Sequence, residues 1–123
     1  MVERWVYLVD DDSLVRASTQ FLLDTMGVST RPYMRGTDFL NDVPSLAAGC
    51  VLLDLKMSDL DGMEVLRALV PHLGRFSVIL LTGHGDAATA REAIGLGATA
   101  LLEKPFREDS LVRALEDGFA RLR

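Results

Sequence analysis

Cysteine is almost absent. Cys50 is the single thiol in 123 residues, which excludes an internal disulfide and any zinc site built from several cysteines. It opens an apolar run, so a buried, inert thiol is the expectation. Long hydrophobic runs are missing too. Nothing approaches the ~18 consecutive apolar residues of a membrane helix, and the N-terminus lacks a signal-type apolar core. A cytoplasmic chain with no membrane partner is the default expectation. Positive charge is in deficit. The net charge of -5 argues against the chain gripping nucleic acid by itself. No repeat, low-complexity tract or linker breaks the sequence, so residues 1–123 read as one domain.

What is present is an ordinary globular composition, 49% hydrophobic and 25% charged. A domain of this length buries roughly two-thirds of its unfolded surface. Four apolar runs read as buried parallel strands, and each leads into polar residues. Residues 5–9 end in Asp10-Asp11-Asp12. Residues 50–55 carry Asp54 where the strand should emerge. Residues 77–81 run into Thr82, and residues 98–102 lead to Glu103-Lys104-Pro105. A poorer run, 28–33, is broken by Pro32 and suits an edge strand.

Helical patterns lie between these runs. The first is capped by Ser13 or Asp12, carries Leu14, Ala17, Ser18, Phe21, Leu22 and Met26 near helical spacing, and ends at Gly27. A short helix covers 37–42. A third carries Met63, Val65, Leu66 and Leu69 and is closed by Pro71 and Gly74. A fourth covers 87–96 behind an Asp86 cap, and the last carries Ser110, Leu111, Ala114, Leu115 and Phe119. Strand and helix alternate with short connections. That predicts an α/β, doubly wound, five-stranded parallel sheet with helices on both faces.

In such folds sites form outside the carboxyl ends of the strands. Asp10, Asp11 and Asp54 crowded there would repel one another, and at least one would be harder to ionise unless a cation intervened. Three oxygen ligands without histidine or cysteine suit a hard ion, Mg²⁺ or alternatively Mn²⁺. With the Lys104 ammonium and the Thr82 hydroxyl, such an edge is equipped to hold a phosphoryl group. A carboxylate beside it can act as nucleophile and give an aspartyl-phosphate.

Four segments match one family in order and spacing: Leu8-Val9-Asp10-Asp11, Leu53-Asp54-Leu55-Lys56-Met57, Leu81-Thr82-Gly83-His84-Gly85-Asp86 and Glu103-Lys104-Pro105-Phe106. The chain resembles the receiver domain of bacterial two-component response regulators over essentially its whole length, and the last two segments resemble the FixJ-type branch. The resemblance implies the flavodoxin-like strand order 2-1-3-4-5 and a phosphorylation-dependent switch. Asp54 would be the phosphoacceptor. Asp11 and Asp54 would ligate Mg²⁺ by side chain, Lys56 by its backbone carbonyl, and Asp10 through a bound water. Thr82 and Lys104 would contact the phosphoryl group. A sensor histidine kinase would be the donor. The domain would catalyse its own phosphorylation and dephosphorylation without being an enzyme in the ordinary sense. Lys56 and His84 sit where the family tunes dephosphorylation, and a solvated loop side chain is the alternative reading of each.

The sequence departs from the family twice. Leu101 stands where an aromatic usually turns inward with the threonine, and it reads equally as a plain core leucine. Ser58 replaces the usual proline after Met57, so a looser loop is expected there. The resemblance further implies a missing C-terminal DNA-binding domain, transcription as output, and a phosphorylation-driven homodimer through the fourth and fifth helices and the strand between. DNA would be met only through that missing domain. Two competing readings are a degenerate receiver acting as a phosphorylation-independent interaction module, and a metal-dependent phosphatase. Against the latter, Lys56 stands where a second aspartate would follow Asp54.

Overall fold

All six residues of one strand, Gly49–Asp54, are buried, as a strand covered on both faces requires. The computed structural model that shows this describes residues 3–83 and 87–122. That strand is β3. β1 is Trp5–Val9, β2 Ser29–Tyr33, β4 Phe76–Thr82 and β5 Ala100–Glu103. They form one sheet in the order β2-β1-β3-β4-β5, with every neighbouring pair parallel. The flavodoxin-like order expected from the sequence is therefore present. β2 lies at an edge, where Pro32 leaves no central ladder bond unmade.

Among the described residues four α-helices connect the strands and a fifth follows β5: α1 Ser13–Thr25, α2 Gly36–Asp42, α3 Gly62–Leu69, α4 Ala87–Leu96 and α5 Glu108–Ala120. Alternation along the strands splits the core into two layers. On one face Tyr7, Val9, Val51, Leu53, Val78 and Leu80 meet Phe39 of α2, Leu66 of α3 and Ala93 of α4. On the other, Val6, Leu8, Cys50, Leu52, Ile79 and Leu81 meet Leu23 of α1 and Leu111 and Leu115 of α5. Aromatic rings are concentrated on the first face. Phe39 lies 6.0 Å from Tyr7 and 5.3 Å from Tyr33, ring centre to ring centre. Cys50 is fully buried, and burial pushes its thiol up to about 12, consistent with an inert side chain.

The apolar face expected for α1 is corrected by the structure. Leu14 is 81% exposed and Phe21 72% exposed, while Thr19 and Leu23 are the buried positions. Leu22 and Met26 do pack on the core, as expected. The helix carries apolar residues on two sides, and spacing alone does not say which side faces a sheet. Its cap is Asp12, whose side chain accepts from the amides of Leu14 and Val15. Gly27 then turns the chain at φ 75°, a conformation that suits glycine. The expected Asp86 cap of α4 lies outside the described residues.

Candidate functional site

Asp54 is the last residue of β3 and Thr82 the last of β4, while Asp10 and Lys104 directly follow β1 and β5. Because these strands are parallel neighbours, their ends gather at one edge. Carboxylate oxygens of Asp10, Asp11 and Asp54 all lie within 4.8 Å of one another. Lys104 Nζ stands 3.4 Å from Asp10 Oδ2 and 3.3 Å from Asp54 Oδ1. The Lys104 amide donates to the Thr82 carbonyl at 2.7 Å, which ties the ends of β4 and β5. The peptide bond that follows, Lys104–Pro105, is cis.

Each carboxylate is held by backbone. Asp10 is fully buried, and its Oδ1 accepts from the Asp12 amide at 2.9 Å. Arg16 Nη1 donates to the Asp10 backbone carbonyl at 2.7 Å. Asp54 Oδ1 accepts from the Lys56 amide at 3.3 Å, so this contact and that with Lys104 fall on the same oxygen. Asp11, half-buried, accepts at Oδ2 from the Ser58 amide at 2.9 Å. Gly62 is required behind the site. A Cβ there would come 2.5 Å from the Asp54 carbonyl oxygen and 2.7 Å from Leu55 Cα.

Burial and the neighbouring Asp10 charge push the Asp54 carboxyl up to about 6, against the pull of Lys104 and the Lys56 amide. One ammonium among three close carboxylates leaves negative charge in excess. The set of three carboxylate oxygens, with the Lys56 backbone beside it, fits a hard divalent cation such as Mg²⁺. Softer ions such as Zn²⁺ or Cu²⁺ draw imidazole or thiolate ligands, whereas Mn²⁺ shares the oxygen preference of Mg²⁺. His84 lies outside the described residues, and the Lys56 side chain is exposed. Thr82 is buried at the strand end. Leu101 pairs with Leu80 in β4 and packs against the aromatic-side core.

The model of the response regulator receiver domain family matches residues 6–116. The chain belongs to that family. Among curated relatives, the transcriptional regulatory protein FixJ of Bradyrhizobium diazoefficiens is 40% identical over 113 residues, 92% of this chain and 55% of the relative. The tetrathionate response regulatory protein TtrR of Salmonella typhimurium is 40% identical over 111 residues, 90% of this chain and 54% of the relative. Among solved structures, FixJ-N superposes with a TM-score of 0.92 at 34% identity, covering 100% of this chain and 98% of that one. The chain spans about half the length of the curated relatives it matches. A receiver domain implies a histidine kinase partner, and its acidic triad agrees with a receiver Mg²⁺ site. Among the described residues, no helix is long and apolar enough to cross a membrane.

Two parts of this receiver's site escape a reading by residue type. Arg16 acts on a backbone carbonyl from inside a helix. Ser58 acts through its amide, which no side-chain pattern signals. The looser loop expected at Ser58 is instead tied down. The amide contacts Asp11, and the next residue, Asp59, accepts from the amide and hydroxyl of Thr37 at 3.3 and 3.0 Å. The physical reason is that serine keeps the N–H that proline lacks.

Proposed function

We propose that this receiver is a phosphorylation-dependent switch that takes a phosphoryl group from a sensor histidine kinase on Asp54. The observation that carries the reading is the convergence of Asp10, Asp11, Asp54 and Lys104 at the ends of three parallel strands. Asp11, Asp54 and the Lys56 carbonyl would hold Mg²⁺, and Asp10 would assist through a water. When bound, the ion neutralises carboxylate charge and draws charge from phosphoryl oxygens. A carboxylate oxygen of Asp54 forms the new bond to phosphorus. The bond from phosphorus to the donor's imidazole breaks, and the imidazole leaves as it takes up a proton. Lys104 pairs with a phosphoryl oxygen, and the Thr82 hydroxyl donates to another.

The modification adds about -1.5 to -2 charge at the end of β3. Thr82 answers it by moving toward Asp54, Lys104, already 3.3 Å from Asp54 Oδ1, turns its ammonium onto the phosphoryl group, and their strands carry that movement into α4 and α5. Leu101 lies on β5 between them and follows into the space Thr82 leaves, with less bulk than an aromatic. Lys56 and His84 tune the approach of the hydrolytic water. The altered face of α4, β5 and α5 supports a homodimer of the phosphorylated form. Transcription is the output this reading assigns, because FixJ relatives of about twice the length are named transcriptional regulatory proteins. On this reading the chain works in the cytoplasm.

A docking surface for the donor lies beside the carboxylates. A groove of about 440 Å³ runs between α1 and the turn after β5, lined by Val15, Leu22, Lys104, Pro105 and Phe106 among others. Exposed Leu14 and Phe21 extend the apolar surface of α1.

Intact mass after incubation with acetyl phosphate and Mg²⁺ tests the reading. One hydroxylamine-labile phosphoryl group is expected, dependent on Mg²⁺ and absent from Asp54→Asn. Turnover of an external phosphoester would favour the phosphatase reading. Failure of both the adduct and beryllofluoride binding would leave a phosphorylation-independent interaction module.

A further inference from the structure

The contact between Ser58 and Asp11 joins two loops 47 residues apart in sequence, through a 2.9 Å bond from the Ser58 amide to Asp11 Oδ2. Asp11 is the least buried of the three carboxylates. Its side chain is therefore the one with most freedom to turn away from a ligand position. A hydrogen bond to one oxygen restrains that rotation and leaves the other oxygen its lone pairs. Such outer partners of a ligating carboxylate typically govern metal affinity by 10–100-fold.

The amide can do this only if its own peptide is held. It is held on the far side by Asp59, which grips the first turn of α2 through the Thr37 amide and hydroxyl. It is held further along by Asp61, which caps α3 through the Glu64 amide at 2.9 Å, and by the Gly62 amide, which donates to the Leu55 carbonyl at 2.8 Å. The chain from Asp54 to α3 is thus a closed loop with one N–H aimed at a carboxylate across the sheet edge.

We propose that the Ser58 backbone amide is a positioning donor that holds Asp11 in its ligand orientation and so sets the Mg²⁺ affinity of the site. The proposal rests on the Mg²⁺ reading given above. The role belongs to the N–H and not to the hydroxyl, so alanine should preserve it and proline should abolish it.

Calorimetric titration of the full chain with Mg²⁺ tests this. Ser58→Ala should bind like the parent, and Ser58→Pro should bind about tenfold more weakly, with thermal unfolding in the absence of Mg²⁺ confirming that it is folded. Equal affinity of Ser58→Pro and parent would overturn the proposal while leaving the Mg²⁺ reading intact. Absence of Mg²⁺ binding by the parent itself would overturn that reading and the proposal with it. A second measurement does not depend on the proline variant. In the metal-free parent the Ser58 amide proton should resonate downfield, and it should move upfield in Asp11→Asn while the Glu64 amide, bonded to Asp61, stays in place. An unmoved Ser58 amide would overturn the proposal.

Discussion

β3 contains two kinds of burial within one strand. From Cys50 to Leu53 each side chain is fully buried and apolar, and Asp54, the next residue, is only 7% exposed yet ionisable. Burying the first four removes apolar surface from water and stabilises the fold. Burying the fifth beside Asp10 opposes ionisation and so raises its carboxyl pKa. The interior of the sheet therefore serves stability, and its carboxyl edge holds charge that a cation or phosphoryl group can exploit. The two regions should respond to substitution in opposite directions.

The largest effect is expected in the interior. Phe39 is fully buried among the rings of Tyr7, Tyr33 and Phe76. Phe39→Ala should cost about 3–5 kcal/mol in denaturant unfolding, while phosphoryl uptake persists under conditions where the variant stays folded. A loss of stability below about 1 kcal/mol would break the comparison. Gly62 lies where the two regions meet. Gly62→Ala forces a methyl against the backbone of Asp54 and Leu55, so unfolding should show a loss of about 1–3 kcal/mol. Mg²⁺ titration should weaken with it, an effect Phe39→Ala should not produce.

At the edge the sign reverses. The folded carboxyl of Asp54 has a pKa of about 6 against an ordinary 3.8. A raised acid binds its proton more tightly in the folded state. Its contribution to stability is full below the unfolded value and is lost as pH rises through about 6. Asp54→Asn removes that loss. In the absence of divalent cations the variant should exceed the parent by about 1–2 kcal/mol at pH 7.5, and the gap should close toward pH 4. Unfolding at both pH values checks this, and a gap that widened in acid would contradict the electrostatic account. The smallest effect belongs to Phe21, which is 72% exposed. Phe21→Ser should change stability by less than about 0.5 kcal/mol. It should slow transfer from a phosphorylated kinase and leave uptake from acetyl phosphate unchanged.

Much of this was readable from residue order. The alternation of apolar runs with helical spacing specified the sheet, and Pro32 marked β2 as an edge. The polar residue ending each run specified the site, because parallel strands bring their carboxyl ends together whatever lies between. Besides Arg16, two features were not readable, for different reasons. Leu14 and Phe21 lie at helical spacing on the solvent side of α1, and a pattern of apolar residues carries no label for the face that meets the sheet. Ser58 acts through an N–H that every residue but proline owns, so its identity says nothing of where the amide points. Asp11 takes part in both lessons: its place at the edge was legible, and the donor that orients it was not.

Reductive trapping tests the central claim most directly. The chain would be phosphorylated with acetyl phosphate and Mg²⁺, treated with borohydride, and its peptides sequenced by mass spectrometry. Borohydride converts an aspartyl-phosphate to homoserine. The account predicts homoserine at position 54 and nowhere else. Homoserine at position 10 or 11, or none from a chain that carries phosphate, would contradict it.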